Sequence, residues 1–360
     1  MYCPSLWKSV HIDTDGYLTP CCLFVDKGTK RIKITDVTNI ETALVNDFQE
    51  HRSSMEQDVW PAGCNQCQFA EAEGRISKRQ SDMWMSKKMK TPAQAVQLEY
   101  LQLKTGRLCN LKCTICGPQC STAIATDHLN QGKLSRIMYD QYQKEIEWSY
   151  DIKQYNKMNS NTGYYRIDLA GGEPFMNKTH FKWLDSIANK DTQLQYNTNG
   201  TFRPTRSEID IWKKFKGVWL AFSIDSYEDK FEELRVGAKW GEVVSNLKYC
   251  QEEIFAKEFD SNSHCSVVVT ISKNNIFDVF KLFELLTAEV DFNHSHPINF
   301  NYLVYPDNMA CHNMSKEELE QVIKLYDQNL LTLDKASVMY SQSKNLRDSM
   351  ENFYVNLCKR

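Results

Sequence analysis

Cys109-Asn-Leu-Lys-Cys113-Thr-Ile-Cys116 directly follows an apolar, β-favouring run at residues 97–103, the first candidate strand of an alternating series. Further candidate strands lie at 166–170, 193–197, 218–224, 266–271 and 299–304, with helix-like segments at 181–188, 208–215, 243–255 and 277–286 between them. Strands that alternate with helices predict an α/β fold with a parallel sheet. Periodicity alone does not choose between an open sheet and a partial barrel. In either shape, loops leaving the carboxyl ends of the strands are where chemistry is placed. The three cysteines occupy the first such loop.

Thiolates spaced by three and two intervening residues can each reach a different iron of one cubane, leaving the fourth iron without a protein ligand. Two other readings compete. A structural zinc site takes a fourth ligand, which Cys120 supplies. A ferredoxin-like cluster also takes four cysteines, but its usual run has Pro after the last, where this chain has Ser121. The position after the first strand favours the open cluster.

A second cysteine set precedes the array. Cys3, Cys21, Cys64 and Cys67 include a Cys64-Asn-Gln-Cys67 pair, and Cys22 competes with Cys21 as a ligand. Asp13-Thr-Asp-Gly16 joins two short β-like runs into a predicted hairpin, and Asp26-Lys-Gly28 marks another turn. Asn39 is a candidate cap for a helix over residues 40–54. The boundary is placed after Pro92, giving a cysteine-rich hairpin-plus-helix domain at 1–92, the strand–helix array at 93–310, and packing helices at 311–360. Ser315-x-x-Glu318 reads as a capping box for the first tail helix, and Leu346, Met350, Phe353 and Leu357 stripe the second.

Composition narrows the partners. Forty-three basic against 46 acidic residues leave a net charge of -3, so nothing points to nucleic acid or an anionic membrane surface. No apolar run reaches the ~20 residues that span a bilayer. The opening MYCPSLWKSVHIDTDG lacks a signal-peptide layout, so a cytoplasmic protein is expected. Thirteen cysteines, an odd number in a reducing compartment, argue against a disulfide framework and for metal ligation. Cys250, Cys265, Cys311 and Cys358 stand apart and read as small apolar residues.

The cysteine loop, together with the motifs downstream of it, resembles the radical S-adenosylmethionine (SAM) superfamily. Leu169-Ala-Gly-Gly-Glu-Pro174 is similar to that family's GGEP motif, Asn197-Thr-Asn-Gly200 to its TNG, and Ser223-Ile-Asp225 and Glu233-Leu-Arg-Val-Gly237 to later elements. Each match alone is weak; their order on a strand–helix frame over residues 96–305 is specific. The resemblance implies a partial (β/α)6 TIM-like barrel. It also implies a [4Fe–4S] cluster on Cys109, Cys113 and Cys116 whose open iron binds SAM, cleaved on reduction to a 5′-deoxyadenosyl radical. For SAM binding it implies Ile115 near the adenine, Gly171, Gly172 and Glu173 at the methionyl amino group, Ser223 at the ribose and Arg235 at the carboxylate. The N-terminal set is similar to the auxiliary "twitch" domain, half of a SPASM domain, although in those enzymes it follows the barrel. That likeness implies a second [4Fe–4S] cluster on Cys3, Cys21, Cys64 and Cys67, with structural zinc as the other reading.

The resulting expectation is an oxidoreductase-like radical SAM enzyme. An external donor such as flavodoxin or ferredoxin reduces the first cluster, and the substrate radical loses an electron to the second. The substrate is a small molecule or a peptide, with peptide or RNA modification as alternatives and a non-catalytic zinc or iron–sulfur module as the rival of another class. Catalytic acid and base residues are not assigned. The basic stretch 75–90, with Arg75, Lys78, Arg79, Lys87, Lys88 and Lys90, reads as a solvated linking helix, and His294 and His296 as loop residues.

Overall fold

Asp13 closes the first hairpin from within its turn. Its Oδ1 accepts backbone N–H bonds from Asp15 and Tyr17, both at 2.9 Å, and Gly16 takes the left-handed φ of 83° that the turn requires. The computed structural model describes residues 1–25, 31–72, 74, 76–292, 297–335 and 337–358. The turn expected at Asp26–Gly28, Arg75, His294 and His296 lie outside the described residues. In chain order the strands are β1 (Ser9–Ile12), β2 (Leu18–Thr19), β3 (Tyr100–Lys104), β4 (Lys112–Cys113) and β5 (Arg166–Ala170). They continue as β6 (Gln193–Thr198), β7 (Gly217–Ser223), β8 (Arg235–Val236), β9 (His264–Ile271) and β10 (Ile298–Tyr302).

Two compact units share these strands. The first comprises Met1–Asn110, Cys116–Thr198 and Pro204–Trp219; the second comprises Leu111–Ile115, Asn199–Arg203 and Leu220–Arg360. In the first, the strand order is β2-β1-β3-β5-β6, with β2 antiparallel and the other pairings parallel. Leu101, Leu103, Ile167, Leu169, Leu194 and Tyr196 are buried on one face. Each leucine so buried contributes about 2 kcal/mol. Behind that face Phe175, Phe181, Tyr196 and Trp212 form a ring cluster, with Trp212 Nε1 donating to Tyr196 Oη at 3.3 Å. Alternation along the strands sends Tyr100, Gln102, Lys104, Arg166, Asp168 and Gln195 to the opposite face.

β1 lies beside β3, so the N-terminal hairpin adds strands to the first unit's sheet, and the boundary expected after Pro92 falls inside that unit. Asn39 caps as expected, accepting from Glu41 N at 2.7 Å. The single helix expected over 40–54 is instead three pieces, Ile40–Thr42, a wider π turn Ala43–Asp47, and Gln49–Glu56. Phe48, with φ -93° and ψ 6°, leaves helical geometry and separates the last piece. Between the cysteine loop and β5 stand helices Thr122–Asn130, Arg136–Glu145 and Ile152–Asn156, none of which the sequence periodicity announces. Their signals are their caps: Ser121, Ser135 and Asp151 each accept a backbone N–H in the first turn.

In the second unit β9 lies between β7 and β10, and β9 pairs parallel with β10, Val267 opposite Ile298. Helix Trp240–Lys248 continues as a π-helical turn, Tyr249–Phe255, and Val279–Glu289 buries Leu282, Phe283 and Leu286. Ser315 and Glu318 form the expected reciprocal cap of Lys316–Leu330, at 3.1 and 2.6 Å. Along Val338–Cys358 the apolar stripe is buried at Leu346 and Met350 but exposed at Leu357. The expected α/β class, with mostly parallel pairing, is borne out; this is the pairing a partial TIM-type barrel requires. Among the described residues no helix is long and apolar enough to cross a membrane.

Candidate active site

The loops after β3 and β5 leave the same edge, because the strands are parallel and Lys104 stands opposite Ala170. They then interlock. Gly172 N donates to Gly106 O at 2.9 Å, and Glu173 N to Leu108 O at 2.7 Å. A Cβ on Gly172 would stand 2.3 Å from Leu108 O, and one on Gly171 2.6 Å from Gly106 O. Gly171 also has a φ of 121°. Glycine is therefore required at both positions for backbone to lie against the chain that enters Cys109. Glu173 is buried, and its Oε1 accepts from Phe175 N at 3.2 Å and Thr198 Oγ1 at 2.9 Å.

Cys109 is anchored by Thr122, whose Oγ1 accepts from Cys109 N and donates to Cys109 O, both at 3.1 Å. Two residues upstream, the fully buried Arg107 pairs with Asp15 of the hairpin turn and with Glu145 at 3.2 Å, its guanidinium 4.5 Å from the Tyr142 ring centre. The hairpin and the root of the cysteine loop are thus fastened to one another inside the first unit. Cys116 is exposed, and Cys120 half-buried in a turn closed by its own N–H on Gly117 O at 2.9 Å.

The second unit holds Cys113 and the half-buried Ile115. β4 pairs antiparallel with β8, which sets Cys113 opposite Arg235. Arg235 Nη1 points at Cys113 Sγ, 4.0 Å away, and Nη2 pairs with Asp225 Oδ2 at 2.7 Å. Asp225 is fixed in turn, its Oδ1 accepting from Thr270 N at 2.7 Å. Ser223, half-buried, ends β7 two residues before it. A positive charge therefore faces a sulfur expected to bind iron as thiolate. Nothing in the sequence gives Asp225 this role; its place at a strand end, two residues after Ser223, is the available signal.

Cys3, Cys21, Cys64 and Cys67 line one small cavity of about 20 Å³ within the first unit, with Lys78 and Arg79 on its wall. Cys22 is exposed and does not line it. Burial pushes the Cys3 and Cys64 thiols up to about 12 and the Cys21 thiol well above its ordinary value. Ionising them calls for a strong local positive charge, such as a metal supplies. Among the described residues no three Cys, His, Asp or Glu side chains stand at the distances of a single bound ion. The expectation of a solvated helix over 75–90 holds for Lys87, Lys88 and Lys90, which are exposed, but not for Lys78 and Arg79. Helix Lys78–Ser86 turns Lys78 onto Asp82 at 2.9 Å and Arg79 onto Glu71 at 2.8 and 2.6 Å, and both cations border the cysteine cavity.

Residues 103–286 match the family model of the radical SAM superfamily. No curated protein sequence matches the chain. Among solved structures, anSMEcpe with bound AdoMet and Cp18Cys peptide is 18% identical over 63% of this chain and 59% of its own, with a TM-score of 0.39. Streptococcus suis SuiB bound to S-adenosylmethionine is 13% identical over 90% of this chain and 67% of its own, with a TM-score of 0.36. TYW1 with a lysine-pyruvate adduct bound is 15% identical over 78% and 89%, with a TM-score of 0.38. The chain thus spans less than two thirds of the length of anSMEcpe.

Proposed function

Because this chain belongs to the radical SAM superfamily, we propose that it binds SAM at a [4Fe–4S] cluster on Cys109, Cys113 and Cys116 and oxidises its substrate beside a second cluster on Cys3, Cys21, Cys64 and Cys67. The family implies the first cluster, SAM, an electron donor and a substrate. A cluster and SAM held there would, on taking one electron from the donor and releasing methionine, supply a 5′-deoxyadenosyl radical able to remove hydrogen from a substrate carbon, and a cluster at the second site would supply an acceptor for the electron left on the substrate.

The chain's own residues prepare both places. Gly171 and Gly172 bring the backbone before Glu173 against residues 105–108, and the buried carboxylate of Glu173 offers a negative charge to the SAM amino group. Arg235 is held by Asp225, Ser223 is offered to the ribose and Ile115 to the adenine. Soft thiolates suit iron–sulfur clusters. The observation that carries the auxiliary site is that four cysteines from three separate stretches of sequence line one cavity while Cys22 does not. Four protein ligands would close that cluster to substrate, leaving it the work of an electron carrier.

Anaerobic purification tests this reading. The expected protein is brown, with iron and sulfide at about eight per chain, the count for two cubanes. With SAM and dithionite it forms 5′-deoxyadenosine. A colourless protein carrying zinc alone, or a reconstituted sample that makes no 5′-deoxyadenosine, would overturn it.

A further inference from the structure

The face of the first unit's sheet opposite its packed core carries polar side chains, and most of them satisfy one another. Arg166 pairs with Asp168 at 2.5 Å, and Gln102 donates to Ser9 Oγ at 3.0 Å and accepts from Cys22 N at 3.4 Å. Two side chains on this face are left over. His11 is 5% exposed, and among the described residues its Nε2 has no hydrogen-bond partner. Lys104 is half-buried at the carboxyl end of β3, and among the described residues no acceptor or carboxylate is bonded to it.

The state of His11 is set by its neighbours. Its Nδ1 lies 2.9 Å from Thr19 Oγ1, and that hydroxyl spends its one proton on Cys21 O at 3.1 Å. Nδ1 is therefore the donor. Burial, then the charges of Lys104 and Lys78, hold the imidazole down to about 3, so it is neutral near pH 7 and Nε2 carries a bare lone pair. His11 stands opposite Gln102 in the β1–β3 register, and Lys104 comes two residues later on the same face. Lys104 is also opposite Ala170, which immediately precedes Gly171. A buried acceptor without a donor and, further along the same face, a cation without an anion offer complementary contacts to one molecule.

We propose that Lys104 and His11 bind the substrate, Lys104 taking an oxyanion, carboxylate or phosphate, and His11 Nε2 accepting a hydrogen bond from an adjacent hydroxyl or amide N–H. That the bound molecule is the one oxidised rests on the proposed radical chemistry; the binding site itself does not.

Calorimetric titration of the anaerobically reconstituted full chain with lactate, acetate, inorganic phosphate and propane-1,2-diol tests it. Saturable binding is expected for lactate or phosphate, the tighter of the two identifying the oxyanion, and none for the uncharged diol. Lys104→Met weakens binding about tenfold or more, the loss of a charged partner, and Lys104→Arg restores most of it. His11→Phe weakens lactate but not acetate, which lacks the hydroxyl. The proposal is overturned if no anion binds the wild type, if Lys104→Met leaves affinity unchanged, or if the diol binds as well as lactate. Formation of 5′-deoxyadenosine by the wild type is measured separately; its failure removes the radical reading and leaves the titration standing.

Discussion

Arg235 and Asp225 form an ion pair at 2.7 Å with both side chains more than nine-tenths buried. Removing one partner from such a pair strands the other charge away from water, at a cost of about 3 kcal/mol or more. Asp225→Asn is expected to destabilise the second unit by that amount in denaturant unfolding, and to lower iron retention, because Arg235 faces Cys113. A variant as stable as the parent would mean that water already screens the pair.

Gly172→Ala tests the interlocked loops. Its Cβ would meet Leu108 O at 2.3 Å, a backbone atom that no rotamer change can move aside. The turn must open, and the chain next to Cys109 moves with it. A displacement near 1 Å at a reacting centre costs about 100-fold. Formation of 5′-deoxyadenosine is expected to fall by that factor or more, while Gly241→Ala, with open space around its Cβ and an ordinary backbone conformation, changes it little.

Strands β3, β5, β6, β7, β9 and β10 are legible in the sequence because they are short β-favouring runs that alternate with helical patterns, and the expected 166–170 matches β5 to the residue; the two-residue β4 and β8 are too short to register. The three helices after the cysteine loop are not. Arg136–Glu145 buries none of its side chains, so its apolar periodicity is too faint to register. The four N-terminal cysteines can be grouped by type and spacing, but the role of Lys78 and Arg79 beside them cannot, since charge in sequence does not tell which cations face inward. Nor can His11 be singled out, because a missing hydrogen bond is visible only after folding.

The two cysteine sets are separable by iron content. Cys64→Ser is expected to lower iron from about eight to about four per chain, removing the cluster whose cavity Cys64 lines. Cys22→Ser and Cys120→Ser leave the total unchanged, since the first is outside the cavity and the open cluster has no use for the second. Loss of iron in Cys120→Ser would show that the fourth corner is closed by protein.

Acid should weaken the first unit before its carboxylates titrate. His11 and His180 are both buried, and desolvation holds each down to about 3 from an ordinary 6.5. His180 is neutral in the fold, Nδ1 donating to Asn177 O at 2.5 Å and Nε2 accepting from Tyr196 Oη at 3.2 Å. Below 6.5 the unfolded chain takes up protons that the native state refuses, so stability falls as pH falls. It is whole above 6.5 and is lost progressively toward 3. At pH 5 the loss is about 2 kcal/mol for each imidazole. Denaturant midpoints should therefore drop between pH 7 and pH 5, and His11→Gln, which cannot protonate there, should show roughly half the drop. An unchanged midpoint over that range would mean that both rings titrate as they do in water, and that the polar face around His11 is wet.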